Sequence, residues 1–355
     1  AEAGQASGRI KAIEPELKEV NEVIHEHMLG LPNLLDERVP EGLQESDARV
    51  ERHWGEPRSF DFPVRDHGQL GADLGILDLE RAAKIAGSRF AVLMGHGAAM
   101  VRALKDFMID LHVGDHGYTE VLPPFLCNTD SFIGTGQLPK FSEDLFRIQD
   151  PDRFWLIPTA EVPLTNLHRD EILEADELEK AYVAYSPCFR SEAGAAGRDT
   201  RGIMRQHQFD KVELVRITAP ENGPAVLEEL TGHAERVLQL LDLPYRVVTL
   251  AAGDTSFSSS ITHDIEVWLP SEGEAGGYRE ISSCSLFADF QSRRMNLRYR
   301  PDPRAKPRFP VTLNGSGLAI GRTIVAILEN NQQADGTVVV PEALRERMRC
   351  DVIEP

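Results

Sequence analysis

Six strand-like runs separated by turn-like segments occupy most of the chain between residue 181 and about residue 300. They lie at residues 181–190, 207–217, 245–251, 263–269, 278–284 and about 295–300. Neighbouring parallel strands need a long crossover connection, usually a helix, and only the run at 231–243 among these connections is helix-like. The pattern therefore predicts an α+β fold with a mainly antiparallel sheet rather than a doubly wound parallel one.

The N-terminal stretch, residues 9–31, is predicted to form a helix with a coiled-coil seam. Its apolar side chains recur mainly in steps of three and four, at Ile10, Ile13, Leu17, Val20, Ile24, Met28 and Leu31. We expect Pro15 in a first turn or at a kink, and "GLPN" (30–33) at the end of the helix. A single seam cannot bury itself, so the helix needs a partner helix or the main body.

The remaining elements are predicted from periodicity and from breakers. Residues 34–63 are predicted to be a polar linker with short extended pieces, and a helical pattern covers 78 to about 113. A strand in 117–126 is expected to stop at Pro123 and Pro124. The stretch 315–332 opens on glycines and continues as an apolar helix.

Composition narrows the class of protein. The chain has 355 residues, 41% hydrophobic and 27% charged, which is typical of a soluble globular protein. The four cysteines show no C-x-x-C spacing, which argues against a disulfide framework and a paired-cysteine zinc site. No apolar run approaches a membrane span, and we expect a cytoplasmic location. A net charge of −19 repels nucleic acid at long range, so such a partner requires a local basic patch.

The stretch "CFRSEAGAAGRDTRGIMRQHQFDKVEL" (188–214) is the first candidate site. Its two strand-like ends alternate, and its glycine-rich, arginine-bearing middle, 191–206, forms a long loop. An arginine can bind a phosphate through two hydrogen bonds, an aromatic ring can stack on a base, and a carboxylate can accept a hydrogen bond from an exocyclic amine. The pattern is typical of a nucleotide site, although a solvated, salt-bridged hairpin would show similar alternation.

Three further stretches carry chemistry of the same kind. Arg322 interrupts the apolar stretch 314–331 and needs an anionic partner, from the protein or from a ligand. "REISSCS" (279–285) places oxygen donors together in a way that suits Mg²⁺, or is an exposed polar strand. "PTAEVP" (158–163) could hold an ammonium group on a tight turn.

Three segments resemble the three signature motifs of class II aminoacyl-tRNA synthetases, in the same order along the chain. They are the strand ending in Pro-Pro, the "FRSE" strand with its loop and the "GxGxxxGR" segment. The stretches "GTGQLPKF", "PTAEVPLTN", "HQFDKVEL" and "EISSCS…DFQSRRMN" are similar to bacterial-type seryl-tRNA synthetases. The resemblance runs from about residue 31 to residue 345. It implies an antiparallel sheet flanked by helices.

The resemblance also implies roles for individual residues. For the adenine of ATP, Glu192 would meet the amino group and Phe209 would stack on the ring. For the phosphates, Arg190 would hold the α-phosphate, Arg322 would lie near the γ-phosphate, and Arg205 would reach phosphate or the tRNA acceptor end. Glu280 and Ser283 would act through Mg²⁺. Serine would be held by Thr159, Glu161, Arg190, Glu213, Asn314 and Ser316. Arg190, Arg322 and Glu280 would be the catalytic residues.

The implied activity is that of a serine–tRNA ligase using L-serine, ATP with Mg²⁺, and tRNA(Ser). The family has a long N-terminal helical arm that grips tRNA, and residues 1–33 resemble a remnant of it, followed by a catalytic domain at 34–355. A homodimer would form through residues 96–124. Two alternatives stay open: a paralogue that adenylates serine or a related amino acid for a non-tRNA acceptor, and a non-catalytic binding paralogue.

Overall fold

The computed structural model describes residues 2–149, 153–194 and 202–355. Its α-helices are α1 (Glu2–Leu29), α2 (His67–Asp73), α3 (Leu79–Ala86), α4 (His96–Gly114), α5 (Thr129–Thr135), α6 (Glu161–Thr165), α7 (Gly223–Leu240), α8 (Phe290–Met295), α9 (Ile320–Asn330) and α10 (Glu342–Met348). Its strands are β1 (Arg49–Trp54), β2 (Leu77–Asp78), β3 (Val92–Leu93), β4 (Thr119–Glu120), β5 (Leu126–Asn128), β6 (Phe154–Leu156), β7 (Ile172–Leu173), β8 (Lys180–Phe189), β9 (Gln208–Thr218), β10 (Tyr245–Thr249), β11 (Ile261–Leu269), β12 (Gly277–Leu286), β13 (Arg298–Tyr299), β14 (Val311–Ala319), β15 (Val338–Val339) and β16 (Val352–Ile353).

An eight-stranded sheet in the order β1-β10-β11-β12-β14-β9-β8-β4 forms the centre of the fold. Its pairings are antiparallel except between β4 and β8 at the edge, which run parallel. β8 and β9 pair from Lys180 opposite Ile217 to Phe189 opposite Gln208, so the two strands of the first candidate site are neighbours. The predicted antiparallel α+β fold is confirmed.

Strand alternation gives the two faces of the sheet different chemistry. On β9, Val212 and Leu214 belong to the main apolar core, which also contains Leu230 of α7 and Ile324 of α9. Because successive side chains of a strand point to opposite faces, Lys211 and Glu213 project from the other face. That second face carries the polar cavity described below.

The N-terminal helix is longer and less supported than predicted. α1 runs through Pro15, which lies in the helix interior rather than in a first turn. Its seam does not pack on the main body: Ile10 is 58% exposed, Leu17 55% and Met28 58%. The helix ends at Leu29, immediately before "GLPN", as predicted.

Two predicted stretches divide differently in the structure. The helical pattern between 78 and 113 is broken at Gly87, whose φ of 96° ends α3, and the short strand β3 precedes α4. The predicted linker 34–63 was expected to include short extended pieces, and one of them, β1, is an edge strand of the main sheet. The sequence of β1 shows no clear alternation of apolar and polar residues, because an edge strand exposes most of its charged side chains.

The glycines of "NGSG" precede the predicted apolar helix, but they lie on a strand that the sequence did not predict. β14 includes Gly315 and Gly317, and α9 begins only at Ile320. A Cβ at Gly315 would collide with Leu230 and lie 2.8 Å from Cys284 Sγ, and one at Gly317 would lie 2.6 Å from His112 Nε2. These glycines therefore permit close packing of α4 and α7 on the sheet.

Within the described residues, no helix is long and apolar enough to cross a membrane.

Candidate active site

A cavity of about 730 Å³ opens on the polar face of the sheet. All twelve residues predicted to bind ATP, serine or Mg²⁺ line it: Thr159, Glu161, Arg190, Glu192, Arg205, Phe209, Glu213, Glu280, Ser283, Asn314, Ser316 and Arg322. They come from α6, β9, β12, β14, α9 and the segments that follow β6 and β8. The fold thus gathers into one cavity residues that are up to 163 positions apart, from Thr159 to Arg322.

An arginine stacked on an aromatic ring forms one wall. Arg190 follows the last residue of β8, and its backbone N–H donates to the His207 carbonyl at 2.9 Å. Its guanidinium carbon lies 5.1 Å from the centre of the Phe209 ring. The β8–β9 pairing sets this contact by placing Cys188 opposite Phe209. The wall offers a fixed positive charge next to a flat apolar surface, which suits a nucleotide.

A second arginine is paired with the carboxylate predicted to meet adenine. Arg205 Nη1 lies 2.7 Å from Glu192 Oε2. Glu192 has a φ of 52°, a left-handed conformation that is uncommon outside glycine and marks a constrained turn. Residues 195–201 of the arginine-bearing loop lie outside the described residues.

Arg322 closes the opposite side of the cavity. Its Nη1 lies 3.1 Å from Glu280 Oε1 and also donates to the Glu280 carbonyl at 2.8 Å, while its Nε donates to the Met204 carbonyl at 3.3 Å. The anionic partner that the sequence demanded is therefore a protein carboxylate. The positive charge of Arg322 lowers the pKa of Glu280, whose side chain is 49% exposed.

A β-bulge brings the oxygen donors of β12 to one face. The register with β11 shifts between Ser282 and Glu280, which leaves Ile281 as the extra residue. In a regular strand, residues 280 and 283 would point to opposite faces, but the bulge turns both Glu280 and Ser283 to the cavity. Ser282 instead donates to the Ser316 carbonyl at 2.7 Å.

A further carboxylate, which the sequence did not single out, lies beside these donors. Asp264 on β11 is paired opposite Ser283, is only 8% exposed and lines the cavity. Its Oδ1 has no hydrogen-bond partner, and burial next to Glu280 raises its pKa well above the ordinary value. Carboxylate and hydroxyl oxygens are the donors that Mg²⁺ prefers, so this corner fits such an ion. Among the described residues, no group of three or more His, Cys, Asp or Glu side chains could hold a metal by itself.

The deepest corner of the cavity contains buried carboxylates. Glu161 is 5% exposed and Glu213 1%. Burial raises the pKa of both, to about 7 for Glu161, where the neighbouring Glu213 adds to the effect. Lys211 also lies here: its Nζ contacts Glu213 Oε2 and donates to Thr159 Oγ1 at 2.9 Å. Glu213 Oε1 is buried without a hydrogen-bond partner, which leaves one strong acceptor for a ligand.

Lys211 and Gln291 are two polar side chains of this corner that the sequence did not predict as site residues. Alternation along β9 places Lys211 on the same face as Glu213, but it gives no indication of the ion pair between them. Gln291 is 1% exposed, and its Nε2 donates to Glu161 Oε1 at 2.6 Å. The two residues are 130 positions apart, and no local signal connects them.

The comparisons with known proteins agree with this geometry. The tRNA synthetase class II core domain (G, H, P, S and T) matches residues 145–331. The sheet, the cavity and this match define a class II aminoacyl-tRNA synthetase. Two curated relatives are 59% identical: the serine–tRNA ligase of Geobacillus sp. (strain WCH70), over 98% of this chain and 81% of its own length, and that of Heliobacterium modesticaldum, over 97% and 81%. The chain belongs to the serine–tRNA ligase family, and the resemblance identified from its motifs is confirmed.

Two solved structures are similar over nearly the whole chain. Seryl-tRNA synthetase from Pyrococcus horikoshii complexed with ATP has a TM-score of 0.93 at 38% identity, covering 98% of this chain and 81% of that one. The cytoplasmic enzyme of Naegleria fowleri in complex with AMP has a TM-score of 0.90 at 32% identity, covering 97% and 81%.

Proposed function

We propose that this protein activates L-serine with ATP, releasing pyrophosphate, and then transfers the seryl group to the 3′-terminal ribose of tRNA(Ser). The observation that carries the proposal is the single cavity that joins a nucleotide-type wall to a deep carboxylate corner. The class II core match and the close serine–tRNA ligase relatives support it.

The adenylation step needs positioning more than covalent chemistry. The serine carboxylate attacks the α-phosphorus in line, a P–O bond forms, and the bond to the pyrophosphate oxygen breaks. Arg190 holds the α-phosphate, and Phe209 stacks on the adenine ring. The Arg190 guanidinium lies over the Phe209 ring, so the two groups are close enough to hold one nucleotide. Arg322 lies near the γ-phosphate, and Glu192 and Arg205 meet the adenine amino group and phosphate. Fixed positive charge stabilises the developing negative charge without reorganisation.

Glu280 and Ser283 would hold Mg²⁺, with Asp264 beside them. The ion would supply charge neutralisation at the ATP phosphates. The ion pair of Arg322 with Glu280 keeps that carboxyl group ionised, because it lowers the pKa, and so ready to bind a cation.

Serine would bind in the carboxylate corner. Glu161, Glu213 and Thr159 would accept hydrogen bonds from its ammonium and hydroxyl groups, with Asn314 and Ser316 on the neighbouring strand β14, where Ser316 is paired opposite Glu213. Alanine lacks the hydroxyl and would leave a buried acceptor such as Glu213 Oε1 unpaired. Sites of this kind reject the analogue that lacks the polar group more strongly than apolar pockets do.

The remaining features concern assembly. Residues 1–33 would act as part of a tRNA-binding arm and 34–355 as the catalytic domain, in a cytoplasmic homodimer formed around residues 96–124. Exposed apolar side chains support an interface there: Leu122 is 83% exposed and Val113 40%.

Serine-dependent ATP–pyrophosphate exchange, measured beside acylation of tRNA(Ser), tests the proposal. We expect both activities. Exchange without acylation would leave adenylation standing and favour a non-tRNA acceptor. No serine-dependent exchange would overturn the proposal and favour a binding role.

A further inference from the structure

Gln291 lies behind the cavity wall and is bonded to the carboxylate corner. It sits on α8, is 1% exposed and is not among the residues that line the cavity. Its Nε2 donates to Glu161 Oε1 at 2.6 Å and to the Thr135 carbonyl at 3.2 Å. Its Oε1 accepts from Thr312 Oγ1 at 2.6 Å. Both ends of this buried amide are therefore hydrogen-bonded.

The chain itself fixes which way the amide points. A backbone carbonyl can only accept, so the end of Gln291 that faces Thr135 must be the NH₂ group. That group has two hydrogens, and the second one is directed at Glu161 Oε1. The Thr312 hydroxyl then donates to the opposite end. The orientation thus depends on a backbone carbonyl and a hydroxyl, neither of which changes charge with pH.

This orientation makes the two oxygens of Glu161 unequal. Oε1 already accepts a hydrogen bond from Gln291, which lowers its basicity and makes Oε2 the preferred oxygen for a proton. Oε2 has a weak contact, 3.4 Å from Gln137 Nε2, another residue that lines the cavity. Oε2 is thus the oxygen left for a ligand, and a proton there would remove the acceptor.

We propose that Gln291 is a positioning residue that keeps Glu161 Oε2 available as an ionised acceptor for the amino-acid substrate, so that loss of Gln291 raises the pH needed for tight serine binding. The inference rests on the proposed role of Glu161 in holding serine. Gln291 itself touches neither serine nor ATP.

The hydrogen bond from Gln291 affects the charge of Glu161 near neutral pH, because the pKa of Glu161 lies in that range. Burial and the charge of Glu213 raise the pKa of Glu161 to about 7, whereas the hydrogen bond from Gln291 and the positive charges of Lys211 and Arg190 lower it. These charged groups come from β9 and from the end of β8, and the donor from α8. Removing that donor must raise the pKa further, and Glu161 would be mostly protonated at neutral pH.

The test is the KM for serine in ATP–pyrophosphate exchange, measured between about pH 6 and about pH 9, for the wild type and Gln291→Met. Methionine keeps the length of the side chain and removes the donor. We expect the midpoint of the KM profile to rise by about one pH unit, which makes KM at pH 7 about fivefold higher. At about pH 9, KM should return to within about twofold of the wild type, with kcat little changed.

Other variants separate positioning from packing. Thr312→Val removes the bond that orients the amide and should shift the midpoint in the same direction but less. Gln239→Met is the matched control, because the Gln239 amide bonds to Tyr245 rather than to Glu161, and it should leave the profile unchanged. Circular dichroism checks folding, and if Gln291→Met does not fold, the Thr312→Val profile decides.

A KM that rises equally at every pH, or that does not change, would overturn the inference while leaving the proposed function intact. Absence of serine-dependent exchange in the wild type would instead remove the proposed function on which it rests.

Discussion

At the residue scale, Lys211 decides which oxygen of Glu213 is left without a partner. The lysine is 6% exposed, and its Nζ lies against Glu213 Oε2 and Thr159 Oγ1. Burial alone would favour a protonated Glu213, and the lysine opposes this by lowering the pKa of the carboxyl group. The ion pair occupies one oxygen and leaves Oε1, which has no other partner, directed to the corner.

Substitution Lys211→Met should therefore weaken serine binding and destabilise the fold. Removing one partner of a buried ion pair typically costs about 3–5 kcal/mol, because the other charge is left uncompensated. We expect the KM for serine to rise at least about tenfold, as Glu213 becomes protonated. Exchange kinetics and urea unfolding measure both effects, with the exposed Lys306→Met as control. A stable variant with unchanged KM would contradict the role given to Lys211.

A cluster of histidines at the end of α4 links stability to pH. His112 Nε2 lies 2.9 Å from the Gly317 carbonyl, His112 and His116 are in contact, and the His116 and His233 rings stack with centres 4.0 Å apart. Burial lowers the pKa of His112 to about 3 and that of His233 to about 4. Tyr118, Arg216, Glu229, Arg236 and Asp115 are the other titratable and charged groups around the cluster.

The expected effect has a definite sign. Below about pH 6.5 the unfolded chain takes up protons on these histidines but the folded protein does not, so stability is lost as pH falls from about 6.5 towards 4. For His233 the loss between pH 7 and pH 5 is about 2 kcal/mol. His233→Gln should remove that part of the loss in unfolding free energies measured at both pH values. Equal losses in variant and wild type would contradict the prediction.

At the scale of elements, the glycines of β14 allow neighbouring elements to pack closely against this strand. A methyl group at Gly315 would collide with Leu230 of α7 and press on Cys284 of β12. This close approach brings α7 and β12 against the strand that also presents Asn314 and Ser316 to the cavity.

Gly315→Ala is therefore expected to destabilise the protein by about 1–3 kcal/mol through overpacking. The matched control is Gly232→Ala in α7, where an added Cβ would meet nothing within 4 Å. There alanine should stabilise by up to about 1 kcal/mol, because it favours the helix and restricts the unfolded chain. Thermal unfolding of both variants measures the contrast, and effects of equal sign would refute the packing argument.

At the scale of the whole molecule, the C-terminal end of α1 contacts the rest of the protein. Arg294 Nη2 donates to the Leu29 carbonyl at 2.9 Å, and its guanidinium carbon lies 4.3 Å from the centre of the Phe290 ring. Asn33 Nδ2 donates to the carbonyls of Ser258 and Phe287, two residues that line the cavity. The end of the helix is therefore bonded to α8, and the segment that follows it is bonded to the cavity wall, whereas the apolar seam of the helix is exposed.

If α1 is part of a tRNA-binding arm, its basic residues should affect acylation but not adenylation. Reversing Arg9 and Lys11 to glutamate should lower acylation several-fold at low salt, since phosphate contacts depend on positive charge and on ionic strength. ATP–pyrophosphate exchange should not change. Glu14→Lys, which adds a positive charge on the same helix, is the control and should not lower acylation. A fall in both activities would show that α1 supports the catalytic body instead.

The sequence alone predicted the antiparallel α+β fold, because alternation within strands and turn-like segments between them are local patterns. The residues of the cavity were predicted from the resemblance of the motifs to those of class II synthetases, and not from alternation or spacing. The breaks in the 78–113 stretch and the strand nature of "NGSG" were missed, because a glycine that ends a helix and one that permits close packing look alike in sequence.

Only the tertiary structure decided the hydrogen-bond partners, the side-chain directions and the pKa shifts of the site. The bulge at Ile281 that turns Glu280 and Ser283 to one face, the orphan oxygen of Asp264, and the amide of Gln291 behind Glu161 all depend on register and on contacts between distant segments. Hydrogen-bond partners and pKa shifts arise from burial and from neighbouring charges, which exist only once the chain has folded. The sequence therefore specifies which groups meet in the cavity, and packing specifies which of their atoms remain free to bind.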